Sequence, residues 1–430
     1  MKSCLFAIAV LAMWGGPVNP LTAQKANYDE DQVPQYVLPD PLSMQGGDTV
    51  SSAGQWNELR RAEILKLFED EMYGRAPKPV RPITFTQKTI DAHAIGGLAS
   101  FVDVTIHLLG KVDGPTMNML LVIPNGAAKP VPAFVGMNFM GNASTSTHPK
   151  IPLSDRWMRR NPAYGTPDNR MTEATRGTKA SRWPYHEILA RGYAVGTIYY
   201  GDVDPDFDDG FQNGIHPAFY RTGQKRPAAN EWGSIAAWAW GLSRAMDYFE
   251  RQTVIDARHV AVIGHSRLGK TSLWAGATDQ RFSLVISNNS GCGGAALSQR
   301  KFGETVQRIN TSFPHWFCDN FKKYNDREKT MPLDQHMLIA LMAPRPVLVC
   351  SAQEDRWADP RGEFLACLHA SPVFKLLGAS GLSAKKMPAV HQPLLTTVGY
   401  HLRAGKHDVT SLDWQTYCDF ADRHWGRKKK

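Results

Sequence analysis

Ser266 stands in the run Gly264-His265-Ser266-Arg267-Leu268-Gly269, a serine held between glycines. A serine hydroxyl is a poor nucleophile until an imidazole takes its proton. That imidazole in turn needs a carboxylate to hold its tautomer and stabilise its charged form. The last third of the chain offers both. Acidic residues follow Pro346-Val347-Leu348-Val349-Cys350, and Asp355 is the preferred acid, with Glu354 and Asp359 as alternatives. The imidazoles are His336, His369, His391, His401, His407 and His424. His407, in Gly405-Lys406-His407-Asp408-Val409-Thr410, is preferred because it falls in a late loop between a strand and a helix.

Several elements must position these groups. Val260-Ala261-Val262-Ile263 is a short β-branched run of the kind buried on both sheet faces, and a helix is expected over Thr271–Ala277. Strand, tight turn and helix with a Gly-x-Ser-x-Gly turn make the nucleophile elbow of the α/β-hydrolases. In that fold the chain order is Ser, acid, His, as in the order chosen here. The acid follows the strand beginning near Pro346, and His407 falls between a last strand, Thr396–Leu402, and a last helix, Trp414–His424.

The rest of the chain reads as the remainder of such a domain. Trp56–Tyr73 has Leu59, Ile64, Leu65, Leu67, Phe68 and Met72 at helical spacing, ending at Gly74. Residues 83–124 alternate apolar and polar, predicting antiparallel strands with a turn at Asp113-Gly114-Pro115. His107 there reads as a face residue. Val131–Val135 is a buried strand, and the Gly-rich loop after it, Gly136–Asn142, is expected to border the site. Residues 155–181 read as an irregular insertion, Tyr185–Arg191 as a helix and Gly192–Tyr200 as a strand. Glu231–Arg251 is a long buried helix. The fold class is therefore α/β: a mainly parallel sheet covered by helices on both faces, with N-terminal antiparallel strands and insertions.

Composition limits the function. The 430 residues are 43% hydrophobic and 21% charged, which suits a globular protein with a sizeable core. The net charge of +9 is not arranged as a basic stripe with interleaved aromatics, so no nucleic-acid partner is expected; an acidic polysaccharide fits as well. Lys2, the apolar stretch Leu5–Trp14 and Leu21-Thr22-Ala23 predict an export signal over residues 1–23, and no later run predicts a membrane span. An exported protein, periplasmic or extracellular, follows. An arm at 24–54, one catalytic domain at 55–426, a basic tail at 427–430 and a monomer are expected. Five cysteines remain after the signal, and one or two disulfides are compatible with export. The aspartates of Asp202–Asp209 fail the EF-hand spacing, because Asp209 and Ile215 fall where Gly and Glu belong. No metal and no cofactor are expected.

From about Trp56 to Trp425 the chain resembles the glucuronoyl esterases, carbohydrate esterase family 15, in the bacterial branch. The motifs are Gly136–Asn142, Tyr200-Gly201-Asp202-Val203-Asp204-Pro205-Asp206-Phe207, Gly264–Lys270, Asn289-Ser290-Gly291-Cys292-Gly293-Gly294 and Gly405–Thr410. The resemblance implies hydrolysis of esters between 4-O-methyl-glucuronic acid branches of xylan and lignin alcohols. It implies Ser266 as nucleophile and Arg267 as oxyanion donor through backbone and guanidinium. It also implies Lys270 and Glu304 on the sugar hydroxyls, and Trp357 against the uronate. Without it, Lys270 and Glu304 would pass as surface charges and Trp357 as a loop aromatic. Fungal members carry the triad acid where Asn289 stands here, and a disulfide where His265 and Asp408 stand. A neutral amide cannot stabilise an imidazolium, so the acid falls to Asp355. An acetyl-xylan or feruloyl esterase on the same fold, and a non-catalytic carbohydrate-binding protein, are the alternatives.

Overall fold

Alternating apolar strands and helices must pack as layers, and the chain does so. The computed structural model describes residues 26–427; the segment read as an export signal and Lys428–Lys430 lie outside the described residues. The strands are β1 (Thr84–Ala94), β2 (Ala99–His107), β3 (Thr116–Pro124), β4 (Val131–Asn138) and β5 (Ala194–Tyr199). They continue with β6 (Ile255–His265), β7 (Leu284–Asn288), β8 (Val347–Ala352) and β9 (Val398–Arg403). They form one sheet in the order β1-β2-β3-β5-β4-β6-β7-β8-β9. The first three strands and β5 pair antiparallel, with Val104 opposite Met119 and Leu121 opposite Gly196. From β5 to β9 every pair is parallel.

Burial explains the sequence patterns. β4 and β8 are buried at every position, because helices cover both faces, so neither strand needs to alternate. β1 faces solvent over most of its length and keeps the polar residues that an edge tolerates. The helices are α1 (Ala53–Gln55), α2 (Arg61–Phe68), α3 (Tyr185–Ala190), α4 (Ser234–Phe249) and α5 (Arg267–Thr278). The remaining four are α6 (Val306–Ser312), α7 (Gln335–Ala340), α8 (Pro360–Leu376) and α9 (Ser411–His424). All residues of α4 are buried. It is apolar around most of its circumference, as a helix enclosed on all sides must be. One continuous apolar core runs from Val50 to Ala421.

The structure departs from expectation at several points. The first helix runs on through wider π turns at Trp56–Arg60 and Glu69–Tyr73, and these rotate its buried stripe. Ile64, Phe68 and Met72 are buried as expected, but Leu59 is 52% exposed. The helix stops at Gly74, whose φ of 84° puts a side chain out of reach: a Cβ there would lie 2.3 Å from the Glu231 carbonyl oxygen. His107 is buried rather than on an open face, with neither ring nitrogen hydrogen bonded. Cys292, Cys318, Cys350, Cys367 and Cys418 are all free and buried, so no disulfide forms among them. No described helix is long and apolar enough to cross a membrane.

Candidate active site

The apolar strand at 260–263 delivers Ser266 to the carboxyl edge of the sheet, between β6 and α5. The turn departs from the Gly-x-Ser-x-Gly spacing. The second glycine is Gly269, one residue beyond a Gly-x-Ser-x-Gly pattern, with Leu268 in its place. Both glycines are nonetheless required by contact. A Cβ on Gly264 would stand 1.8 Å from the Leu268 carbonyl oxygen, and one on Gly269 would meet Ser290 Cβ at 3.0 Å. Ser266 itself holds φ 59° and ψ −129°, a conformation that L-residues rarely adopt. The helix starts at Arg267, four residues before the expected Thr271, because the turn feeds directly into it. Arg267 is therefore the first helical residue, whose N–H has no intrahelical acceptor and faces outward with the helix dipole.

The structure brings His407 and Asp355 together. His407 Nδ1 lies 2.6 Å from Asp355 Oδ2. The His407 ring centroid lies 4.5 Å from that of His265, the neighbour of Ser266, with the rings tilted by 43°, so the imidazole sits beside the elbow. Asp355 is buried and receives a second bond from Asn289 Nδ2 at 2.8 Å. The amide at 289 thus donates to the carboxylate instead of replacing it. The alternatives stand elsewhere. Glu354 is exposed. Asp359 receives Arg300 Nε at 2.8 Å and caps α8 through the Gly362 N–H. Among the other histidines, His336 is bonded to the Pro39 carbonyl at 2.8 Å and His424 packs on Phe420.

The Arg267 guanidinium is fixed from several sides. It pairs with Asp206 and lies 4.7 Å from the Trp316 ring, with Phe139 and Phe313 at 5.7 and 5.5 Å. Asp206 is completely buried, and also accepts from Trp316 Nε1 at 2.7 Å, His315 Nε2 at 3.0 Å and the Tyr200 hydroxyl at 3.0 Å. Burial works against this carboxylate, but the His315 bond, the Arg267 charge and the Trp316 N–H outweigh it and hold its pKa well below the usual range. Sequence reasoning missed Asp206. It stood in the Tyr200–Phe207 motif and in a run of aspartates tested for calcium, with no role of its own. Asp204, also in that run, is taken by the Ser234 hydroxyl at 2.5 Å and His216 Nδ1 at 3.2 Å.

Lys270, Glu304 and Trp357 converge beside Arg267. Lys270 and Glu304 are nearly buried and lie 3.9 Å apart. Burial pushes the Lys270 amine down and the Glu304 carboxyl up, each partly offset by the other's charge. The Trp357 carbonyl accepts the Glu304 N–H at 3.0 Å. Trp357 remains 37% exposed at the rim, with the Arg308 guanidinium 6.0 Å over its ring. The N-terminal arm ties this wall down: Asn27 accepts the Gly303 N–H at 2.8 Å, and Glu30 pairs with Arg300 and Arg361.

Glu363 is a buried group that sequence reasoning missed. Its carboxyl accepts the N–H groups of Ser290 and Gly291 at 2.8 and 3.0 Å and the Ser351 hydroxyl at 2.5 Å, so it supports the loop beneath Asn289. Burial raises its pKa from the ordinary value to about 7. A raised carboxyl pKa means that the fold holds a proton which the unfolded chain releases. Stability from this group is therefore full below the unfolded value and declines as pH rises to about 7. Glu363→Gln mimics the protonated form. It is expected to remove that decline and raise stability at pH 7 by up to about 3 kcal/mol, read from melting temperature against pH. An unchanged slope would refute the assignment.

A family model described as glucuronyl esterase, fungi, matches residues 199–378. A carbohydrate esterase, MZ0003, of an unknown prokaryotic organism is 52% identical over 427 residues, covering 98% of each chain. The structure of a promiscuous CE15 esterase from the marine bacterial metagenome is 54% identical with a TM-score of 0.88, over 93% of this chain and all of that one. A glucuronoyl esterase from Solibacter usitatus is 48% identical with a TM-score of 0.87, over 92% of this chain and all of that one.

Proposed function

This chain belongs to the glucuronoyl esterases of carbohydrate esterase family 15, and from that premise we propose that Ser266, His407 and Asp355 carry its hydrolysis of 4-O-methyl-glucuronate esters. The enzyme is a carboxylic ester hydrolase. Its proposed natural substrate is the ester joining glucuronic acid branches of xylan to lignin alcohols. The observation that carries the reading is the 2.6 Å contact between Asp355 and a His407 ring that packs against His265, the residue before Ser266.

His407 takes the Ser266 proton as the hydroxyl attacks the uronate carbonyl. Asp355 holds the Nδ1 proton, which fixes the tautomer and stabilises the imidazolium. The tetrahedral oxygen accepts from the Arg267 N–H, with the guanidinium adding charge in a site where water is largely excluded. His407 then protonates the leaving alcohol. Water, activated by the same ring, releases glucuronate. Lys270 and Glu304 offer a buried donor and acceptor for sugar hydroxyls, and Trp357 a flat face for the ring. A monomeric, exported enzyme with residues 55–426 as one catalytic domain completes the proposal.

The test compares benzyl glucuronate with p-nitrophenyl acetate. Preference for the uronate ester is the expected result. Cleavage of acetate alone would move the enzyme to the acetyl-xylan class, and no turnover of either would favour a binding protein.

Asp206→Asn tests the guanidinium support. The neutral amide keeps the volume but loses the charge that aims Arg267. A misplaced oxyanion donor is expected to lower kcat about 10- to 100-fold with a smaller change in KM, because the contact strengthens in the transition state. A rise in KM alone would show that Arg267 acts in ground-state binding.

A further inference from the structure

The His407 side chain is 41% exposed, so its aim depends on what grips the loop that carries it. Two arginines do so. Arg403, buried at the end of β9, donates to the carbonyls of Ala404 and Lys406 at 2.9 Å and of Asp408 at 2.5 Å. Its Nε is bonded to Asp413 at 2.8 Å. The second is Arg182, which no step above uses. Its Nε lies 2.6 Å from Asp408 Oδ1, on the residue next to His407. The same oxygen accepts the Val409 N–H at 2.9 Å, so the Asp408 side chain ties Arg182 to the loop backbone.

Arg182 reaches this loop across 226 residues, from the short turn Ala180–Arg182 that ends the insertion. Its backbone is anchored without help from its side chain. The Arg182 carbonyl accepts Trp414 Nε1, on α9, at 2.8 Å, and its N–H donates to the Lys179 carbonyl at 3.0 Å. The next residue, Trp183, is buried 5.8 Å from the Trp414 ring. The guanidinium lies 6.0 Å over Phe139, the same ring that meets Arg267 at 5.7 Å.

The contact places no net charge beside the base, because Arg182 and Asp408 cancel. Burial first, then the charges of His407 and Arg182, push the His265 imidazole down, so the ring packed against His407 stays neutral.

We propose that Arg182 is a positioning residue: through Asp408 it holds the loop that aims the His407 imidazole at Ser266. The proposal rests on the reading of His407 as the general base. The test measures kcat and KM on benzyl glucuronate for Arg182→Ala, Asp408→Ala and the double variant. A slightly misplaced base costs rate and not affinity, so each single variant is expected to lower kcat about 10-fold with KM changed by no more than about twofold. The double variant is expected to be no slower than the slower single one, since both remove one contact. Arg182→Lys is expected to recover most of the loss, because the contact is a single bond that an ammonium can also make. A partly exposed ion pair adds little stability, so melting temperatures are expected to stay near that of wild type.

Charge without bracing makes a different pattern. Arg182→Ala would leave a negative charge beside the imidazole and Asp408→Ala a positive one. Their effects would be opposite, and the double variant would return to wild-type kcat. That restoration overturns the proposal. So do additive losses, a loss confined to KM, wild-type kcat in Arg182→Ala, or a loss in Arg182→Ala that Asp408→Ala does not share. Wild-type turnover by His407→Ala fails the base reading instead, and is read separately from the Arg182 series.

Discussion

Ser266→Ala is expected to lower kcat on benzyl glucuronate by on the order of 10⁴- to 10⁶-fold, while glucuronate still binds. The size follows from what the substitution leaves. His407, Asp355 and the Arg267 donors remain, but no protein atom can take the acyl group. Only direct attack by water is left, and the covalent route that divides the reaction into two easier steps is gone. Binding survives because Lys270, Glu304 and Trp357 are untouched. A companion variant separates chemistry from folding. Ser266 occupies φ 59° and ψ −129°, a region that glycine adopts without cost. Ser266→Gly is therefore expected to be as inactive as the alanine variant yet more stable than it, by about 1 kcal/mol or more, seen as a higher melting temperature. Near-wild-type turnover by Ser266→Ala would remove the nucleophile assignment altogether.

What the sequence made legible divides by physical range. The elbow could be read because its signals are local: a β-branched strand, glycines at points of contact and a following helix all lie within about twenty residues. The strands of the parallel half were legible for the same reason, since burial on both faces leaves unbroken apolar runs. His407 and Asp355 were legible as loop residues after late strands, whereas the preference for Asp355 over Glu354 and Asp359 gains its support from three-dimensional placement. Glu354 points to solvent, and Asp359 is occupied by Arg300 and the start of α8.

Long-range groups left no local trace. Asp206 meets Arg267, His315 and Trp316 across 61, 109 and 110 residues, and nothing in its own neighbourhood distinguishes it from Asp204 or Asp208. Glu363 reaches Ser290 across 73 residues from inside a helix whose periodicity marks it merely as polar. The cysteines failed for a related reason. Export would permit disulfides, but the five described thiols are all buried and free.

Asp355→Ala is expected to lower kcat about 10⁴-fold, because His407 loses the carboxylate that fixes its tautomer and offsets its charge. The local network makes the outcome informative beyond that loss. Asn289 Nδ2 lies 2.8 Å from the same Asp355 oxygen that bonds His407. A carboxylate at 289 therefore stands one hydrogen bond away from the imidazole. Asn289→Glu alone sets two carboxylates against one another. Like charges at that distance cannot both ionise readily, so the single variant is expected to be slower than wild type near neutral pH. In the Asp355→Ala background the repulsion disappears and the longer glutamate side chain can approach Nδ1. The double variant is expected to recover about 10- to 100-fold over Asp355→Ala. Recovery in the double variant with loss in each single one would show that the acid's position, not its parent strand, is what the imidazole requires. Asp355→Ala at nearly wild-type kcat would mean that another carboxylate serves His407, and the triad proposed here would fail at its third member.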